Sequence, residues 1–359
     1  MIPIAKPQIG EEEKKAVLKV MDSGMLAQGE SVKEFEKAFA AYIGVKYAVA
    51  VNSGTAALHA ALFGCKIGPG TEVVTTPFTF IASANSILYC NSTPTFSDIN
   101  PISFNLDPAK IPSALTSKSR AIMPVHLYGS TCEMDAIMDT AKSKGLMVIE
   151  DACQSHGSDY EGKKAGSIGD AGCFSFYPTK NMTTSEGGMV TTNNEEIAER
   201  AKLLREHGSR ERYKHEVLGY NYRMTNIAAA IGIEQLKKLD KFNSTRRKNA
   251  DYYIKHITAD WLVKPQESKN SKHVYHQYTL RSKNNRLTRD EIVQKIKAAG
   301  IGCEIYYPRL VYQQPSFSAI PSRKCPEAEK AAQEVFSIPI HASLSQADLE
   351  QVVKVINSL

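Results

Sequence analysis

Between residues 47 and 192, short apolar runs of strand character alternate with helix-patterned segments, and this alternation constrains the fold more than any other feature of the chain. The runs are Tyr47 to Val51, Val73 to Thr76, Ala121 to Val125, Met147 to Glu150, Cys173 to Tyr177 and Met189 to Thr192. Helical patterns over Thr55 to Phe63, Ala82 to Tyr89 and Met134 to Lys144 separate most of them. Such βα repeats predict a mainly parallel sheet covered by helices on both faces, with ligands at the carboxyl ends of the strands. The strand-to-helix turns are therefore where chemistry is expected. From Glu195 the pattern turns helical, and Asn226 to about His256 reads as a long connecting helix or helix pair that marks a domain exit. Beyond it the spacing predicts a strand over Val274 to Arg281, an amphipathic helix over Thr288 to Ala299 closed by Gly300, a strand over Gly302 to Tyr307 and a capped terminal helix over Ser345 to Leu359. These elements make a small α+β domain.

Composition excludes several function classes. The chain has 359 residues, 42% of them hydrophobic, enough for a sizeable core. Lys and Arg total 44 against 38 Asp and Glu, a net charge of +6 that suits small acidic ligands and does not demand a polymer. Helix-turn-helix, zinc-finger and basic-aromatic signatures are missing, so nucleic acid is not expected as a partner. The seven cysteines, Cys65, Cys90, Cys132, Cys153, Cys173, Cys303 and Cys325, form no Cys-x-x-Cys pair. An odd set in apolar stretches argues against a disulfide framework and a zinc site and for reduced cytoplasm. Charges interrupt the N-terminal MIPIAKPQIGEEEKKAV, and no apolar run approaches the ~18 to 20 residues of a membrane span, so neither a signal peptide nor membrane insertion is expected.

Three segments carry candidate chemistry. Leu146-Met-Val-Ile-Glu-Asp151 is a buried-type strand ending in two carboxylates, and Asp151 at a sheet mouth is placed to face a cation or a protonated ring nitrogen. Lys180, in Phe174-Ser-Phe-Tyr-Pro-Thr-Lys180-Asn, lies in a turn among aromatic and hydroxyl residues, surroundings that lower an amine pKa and favour Schiff-base formation with a carbonyl. Ser53-Gly54-Thr55 joins a strand to a helix, where free N–H groups cradle phosphate, although the same residues serve as an ordinary cap. Phe80 opens the next helix and can offer a ring face to a flat ligand or fill the core.

In chain order, these elements resemble the DegT/DnrJ/EryC1/StrS family of sugar aminotransferases. The motifs are Gly24-Met-Leu-Ala-Gln-Gly29, Ser53-Gly-Thr-Ala-Ala-Leu58, Pro124-Val-His-Leu-Tyr-Gly129, Glu150-Asp-Ala-Cys-Gln154, Phe174 to Asn181, Gly219-Tyr-Asn-Tyr-Arg-Met224 and Ile338-Pro-Ile-His341. The resemblance covers essentially the whole chain. It implies the fold type I architecture of pyridoxal 5′-phosphate (PLP) transferases: a large, mainly parallel seven-stranded sheet domain over residues 1–240 and a smaller C-terminal α+β domain over 241–359. It further implies that Lys180 holds PLP covalently and acts as the base, and that Asp151 pairs with the pyridine nitrogen. Gln154 would meet the ring hydroxyl, Gly54, Thr55 and Ser175 would hold the phosphate, Phe80 would stack on the ring, and Asn221 would reach the cofactor phosphate of a neighbouring subunit. A cytoplasmic homodimer transferring an amino group from L-glutamate to a nucleotide-linked keto-sugar follows, with a 4-keto substrate favoured slightly over a 3-keto one.

Two alternatives stand beside it: a PLP dehydratase of the same family, whose members resemble this chain but carry histidine where Lys180 stands, and a non-catalytic regulator, which has no reason to keep Asp151 and Lys180 in register. Cys153 replaces a small residue of many relatives, and Tyr312 stands where relatives often carry a histidine near the sugar. His126, His156 and His341 each follow an apolar strand or a Pro turn and read as hydrogen-bonded structural residues without metal-ligand spacing. The basic stretch Arg200 to Arg212 reads as a solvated face that could also meet a diphosphate.

Overall fold

The computed structural model describes residues 1–268, 270–284 and 286–359. Its large sheet has seven strands, β1 (Tyr47–Val51), β2 (Glu72–Thr75), β3 (Thr93–Phe96), β4 (Ser119–Ile122), β5 (Met147–Asp151), β6 (Ala171–Ser175) and β7 (Gly188–Thr192), in the order β1-β7-β6-β5-β4-β2-β3. All are parallel to their neighbours except β7, which runs antiparallel to β6 and to β1. The six strands expected for this sheet are all present, shifted by at most three residues. β3 is the strand that apolar patterning misses: Thr-Pro-Thr-Phe contains a proline, tolerated here because β3 is an edge strand.

Helices α1 (Glu11–Ser23) and α2 (Glu30–Ile43) precede the sheet, and α3 (Gly54–Gly64), α4 (Ala82–Tyr89), α5 (Met134–Lys144) and α6 (Glu195–Arg205) connect or follow its strands. α3 is apolar on nearly every face because it is buried on nearly every face: Leu58, Ala61 and Leu62 pack with Val49, Ile149 and Val190. Its start is fixed by Ser53, whose Oγ accepts the Ala56 N–H at 3.1 Å. This cap holds the first turn of α3 at the carboxyl end of β1, where the site lies.

The segment from Asn226 to His256 is one continuous helix, α7, capped by Thr225. After it come β8 (Leu262–Val263), β9 (Tyr278–Ser282), α8 (Arg289–Ala298), α9 (Pro326–Glu334), β10 (Val335–Ile338) and α10 (Gln346–Asn357), with a three-stranded antiparallel sheet in the order β8-β9-β10. Tyr253, Tyr278, Phe336 and Ile338 form the buried cluster of this part. Two expectations need correction here. The strand expected from Val274 begins at Tyr278, because the Val274 and Gln277 N–H groups are spent on Gly129 and Tyr128 carbonyls instead of the ladder. Gly302 to Tyr307 forms only single bridges, because Gly302 packs against the N-terminal segment and donates its N–H to the Ile2 carbonyl at 2.7 Å. A Cβ at Gly302 would lie 2.5 Å from the Ile4 nitrogen, so only glycine allows this approach. Among the described residues no helix is long and apolar enough to cross a membrane.

Burial keeps several histidines neutral. It pushes His59 and His341 down to about 4, and His156 and His273 down to about 3. The unfolded chain, with histidines near pKa 6.5, binds more protons below that pH, so stability is full above pH 6.5 and falls as pH drops below it. Each group costs about 1 kcal/mol between pH 6.5 and 5.5, and the four together should lower the melting temperature by roughly 5 °C over that interval in a chain of this size. Differential scanning calorimetry checks this; a flat midpoint over that interval would show these rings to be charged or solvated in the native state.

Candidate active site

At the carboxyl ends of β1, β5 and β6 a cavity of about 450 Å³ opens, and Gly54, Thr55, Phe80, Asp151, Gln154, Ser175 and Lys180 all line it. Seven of the eight expected site residues thus converge. Asn221 does not: it is exposed outside the cavity, and its carbonyl accepts from the Asn52 amide at 3.2 Å.

The two carboxylates that end β5 separate because successive strand residues face opposite ways. Glu150 is fully buried and takes four donors: Gly166 N–H at 2.8 Å, Ile168 and Gly169 N–H at 2.7 Å, and His126 Nε2 at 2.9 Å. Since the Cys132 N–H donates to His126 Nδ1, the ring proton sits on Nε2 and is donated to Glu150. This bracket pins the loop after β5, and His126 belongs to it as a structural residue. Asp151 turns to the cavity instead, with Oδ2 accepting from Ser83 Oγ at 2.7 Å and Oδ1 from the Cys153 N–H at 3.2 Å. Two donors leave carboxylate lone pairs free for a further one.

Lys180 comes from the loop between β6 and β7 and makes no ion pair among the described residues. Burial pushes its amine pKa down, against a weaker upward pull from Cys153 and Asp151. At the other end of the cavity, the Gly54 and Thr55 N–H groups start α3 without partners among the described residues, an arrangement that binds anions. Gly54 is required there, since a Cβ would lie 2.5 Å from the Ser175 Cβ. The Phe80 ring is 55% exposed and stands 6.2 Å from the Tyr307 ring. Gln154 is held by its Oε1, which accepts the Tyr128 N–H, and by its Nε2, which donates to Tyr307 OH at 3.1 Å.

Among the cavity residues that sequence reasoning missed are Ser83, Tyr307 and His276. Ser83, one helical turn beyond Phe80, is readable from that spacing, but Tyr307 and His276 arrive from the C-terminal part and nothing local points to them. Tyr312 is not at the site: it packs on Phe96 and its hydroxyl donates to Glu329 at 2.9 Å. His156 lies between Phe174 and Phe176, and His341 Nε2 donates to the Pro3 carbonyl. The basic stretch is only partly a solvated face: Arg205 is buried against Glu36 at 2.7 Å and Arg200 is bonded to the Phe63 carbonyl, while Arg210 and Arg212 are exposed on a short hairpin.

The donor set fits a phosphorylated, protonated aromatic ring bearing a carbonyl: free N–H groups for the phosphate, Asp151 for a ring N–H, an exposed phenyl face and a neutral-leaning amine. Together with the seven-stranded α/β sheet, it matches what the resemblance to PLP-dependent aminotransferases leads one to expect. Residues 7–357 match the model of the DegT/DnrJ/EryC1/StrS aminotransferase family, and the chain belongs to that family. GDP-perosamine synthase of Caulobacter vibrioides is 40% identical over 100% of this chain and 98% of its own. A pleiotropic regulatory protein of Geobacillus stearothermophilus is 41% identical over 96% and 94%. The solved structure of S. venezuelae DesV superposes with a TM-score of 0.93 at 36% identity, covering 97% of this chain and 94% of that one.

Proposed function

We propose that this chain is a cytoplasmic homodimeric PLP enzyme that moves an amino group from L-glutamate to a nucleotide-linked keto-sugar, for amino-sugar or polysaccharide biosynthesis. The carrying observation is that Lys180 and Asp151 open on one cavity with the Gly54–Thr55 anion cradle at its end. PLP, when bound, supplies an electron sink that makes the neighbouring substrate C–H acidic. Lys180 attaches the cofactor, and its Nζ, once released, takes the proton from the donor's α-carbon and holds it for return. Burial suits it to that work, because it shifts the amine toward its free base. Asp151, oriented by Ser83, holds a ring N–H. Gly54, Thr55 and Ser175 hold the phosphate, Gln154 meets the ring hydroxyl, and Phe80 covers a ring face.

Lys180 is the only Lys or Arg among the described residues lining the cavity, although phosphate, dicarboxylate and diphosphate must all bind there. That shortage supports a second subunit completing the site with Asn221. The exposed hairpin carrying Arg210 and Arg212, with Tyr213 and Leu218 each 81% exposed, is available for the same contact. In this reading residues 1–240 carry the cofactor and residues 241–359 close over it, with α7 running through both. A regulatory role, as the Geobacillus relative's name suggests for that protein, leaves a buried amine and Asp151 on one cavity without a use.

The 4-keto preference rests on the populous 4-amino branch of the family. Incubating the protein with PLP, L-glutamate and a panel of 4-keto and 3-keto nucleotide sugars, read by mass, should show amine gain on a 4-keto substrate. Gain on 3-keto substrates alone would overturn the position, and gain on none would overturn the substrate class.

A further inference from the structure

Lys180 also borders a second cavity, of about 20 Å³, whose lining shares no other residue with the first. Asn181, Gln235 and Arg246 form its inner wall, all nine-tenths or more buried, and Lys6 and Gln8 of the N-terminal segment form its outer wall. Lys6 is exposed, so the chamber ends at the surface.

Two polar atoms of this wall have no partner: Arg246 Nε, a donor, and Asn181 Oδ1, an acceptor. Arg246 Nη1 is committed to the Tyr275 and His276 carbonyls, and Asn181 Nδ2 to Asn243 Oδ1 and the Val274 carbonyl. Those bonds fix the amide orientation, so Oδ1 is the free end. Arg246 also has no carboxylate partner among the described residues. An orphaned donor and an orphaned acceptor each cost about 1–3 kcal/mol when buried, and one water answers both. A chamber of this size holds a single water, because roughly 10–15 Å³ suffices for one; a carboxylate or phosphate does not fit.

We propose that the chamber holds one ordered water, bonded to Arg246 Nε and Asn181 Oδ1, through which Lys180 exchanges protons with solvent while the main cavity is filled by substrate. The step rests on the reading of Lys180 as the proton carrier. An N–H bond of the Lys180 ammonium breaks as an O–H bond of the water forms, and the water passes another of its protons to solvent past Gln8 and Lys6. Charge leaves, the water is regenerated, and no oxidant or co-reactant is needed. Arg246 and Asn181 are positioning residues here, since they touch the water and not the substrate.

The test has two arms. A high-resolution crystal structure should show a water within hydrogen-bond distance of Arg246 Nε and Asn181 Oδ1; an empty chamber or an ion there overturns the proposal. With L-[2-²H]glutamate, the wild type should lose most of the deuterium to solvent. In Gln8→Leu, which makes the outer wall apolar and alters one bond to Ser343, and in Asn181→Leu, that loss should fall roughly fivefold, the factor one ordinary hydrogen bond carries. Should Asn181→Leu fail to fold, Gln8→Leu decides. Unchanged wash-out in a Gln8→Leu protein that melts like wild type overturns the path, while the Lys180→Ala spectrum tests the underlying reading separately.

Discussion

Lys180→Ala should abolish transamination, with kcat/KM falling on the order of 10⁴-fold or more, and should remove the yellow absorbance that wild type develops with PLP. Both effects follow from one amine. It is the base that the proposed reaction uses, and no other Lys or Arg among the described residues lines the cavity to replace it. The variant should fold as well as wild type, because Lys180 makes no ion pair among the described residues and its burial opposes its own charge. Lys180→Arg keeps a cation but not an amine that can lose its proton at neutral pH, and should be equally inactive. Absorbance spectra and steady-state rates on matched, folded proteins check this. Persistence of the yellow band in Lys180→Ala would place the attachment elsewhere.

Glu150→Ala should have the largest effect on stability, a loss of about 4 kcal/mol, a large share of a typical domain's 5–15 kcal/mol. The carboxylate accepts three backbone N–H groups of the Gly166 to Gly169 turn and the His126 ring N–H in a fully buried place, and its removal orphans all four donors. Glu150→Gln keeps the shape but replaces one acceptor oxygen by a donor, so it should lose about half as much. Because Asp151 is the next residue, PLP affinity should fall with stability in both. Denaturant unfolding measures the loss; a value below about 1 kcal/mol for Glu150→Ala would mean that water reaches the orphaned groups.

Much of this was legible because parallel strands buried on both faces are written as continuous apolar runs, so β1 and α4 emerge with their observed bounds. The proline in β3 hid an edge strand. The apolar run from Val274 suggested a longer strand than exists, because its first N–H groups bond to Gly129 and Tyr128, residues far away in the chain. At the site, Gly54, Thr55, Phe80, Asp151 and Lys180 were visible because they lie in the turns that follow strands, whereas Gln154 and Ser175 came only with the family resemblance. Spacing could not separate the roles of Glu150 and Asp151; the pleat of β5 did that, sending one to the loop bracket and the other to the cavity. Tyr307 and His276 come from beyond α7, and only the packing of the C-terminal part over the sheet brings them in. Tyr312 shows the converse, a residue near a motif whose side chain the fold turns into an apolar cluster.

The central claim is that Lys180 binds PLP covalently in this cavity. Borohydride reduction of the PLP-loaded protein, followed by protease digestion and peptide mass spectrometry, tests it most directly. The account predicts a single phosphopyridoxyl adduct on the peptide carrying Lys180, absent from Lys180→Ala. An adduct on another lysine, or none in protein that has turned yellow, would contradict it.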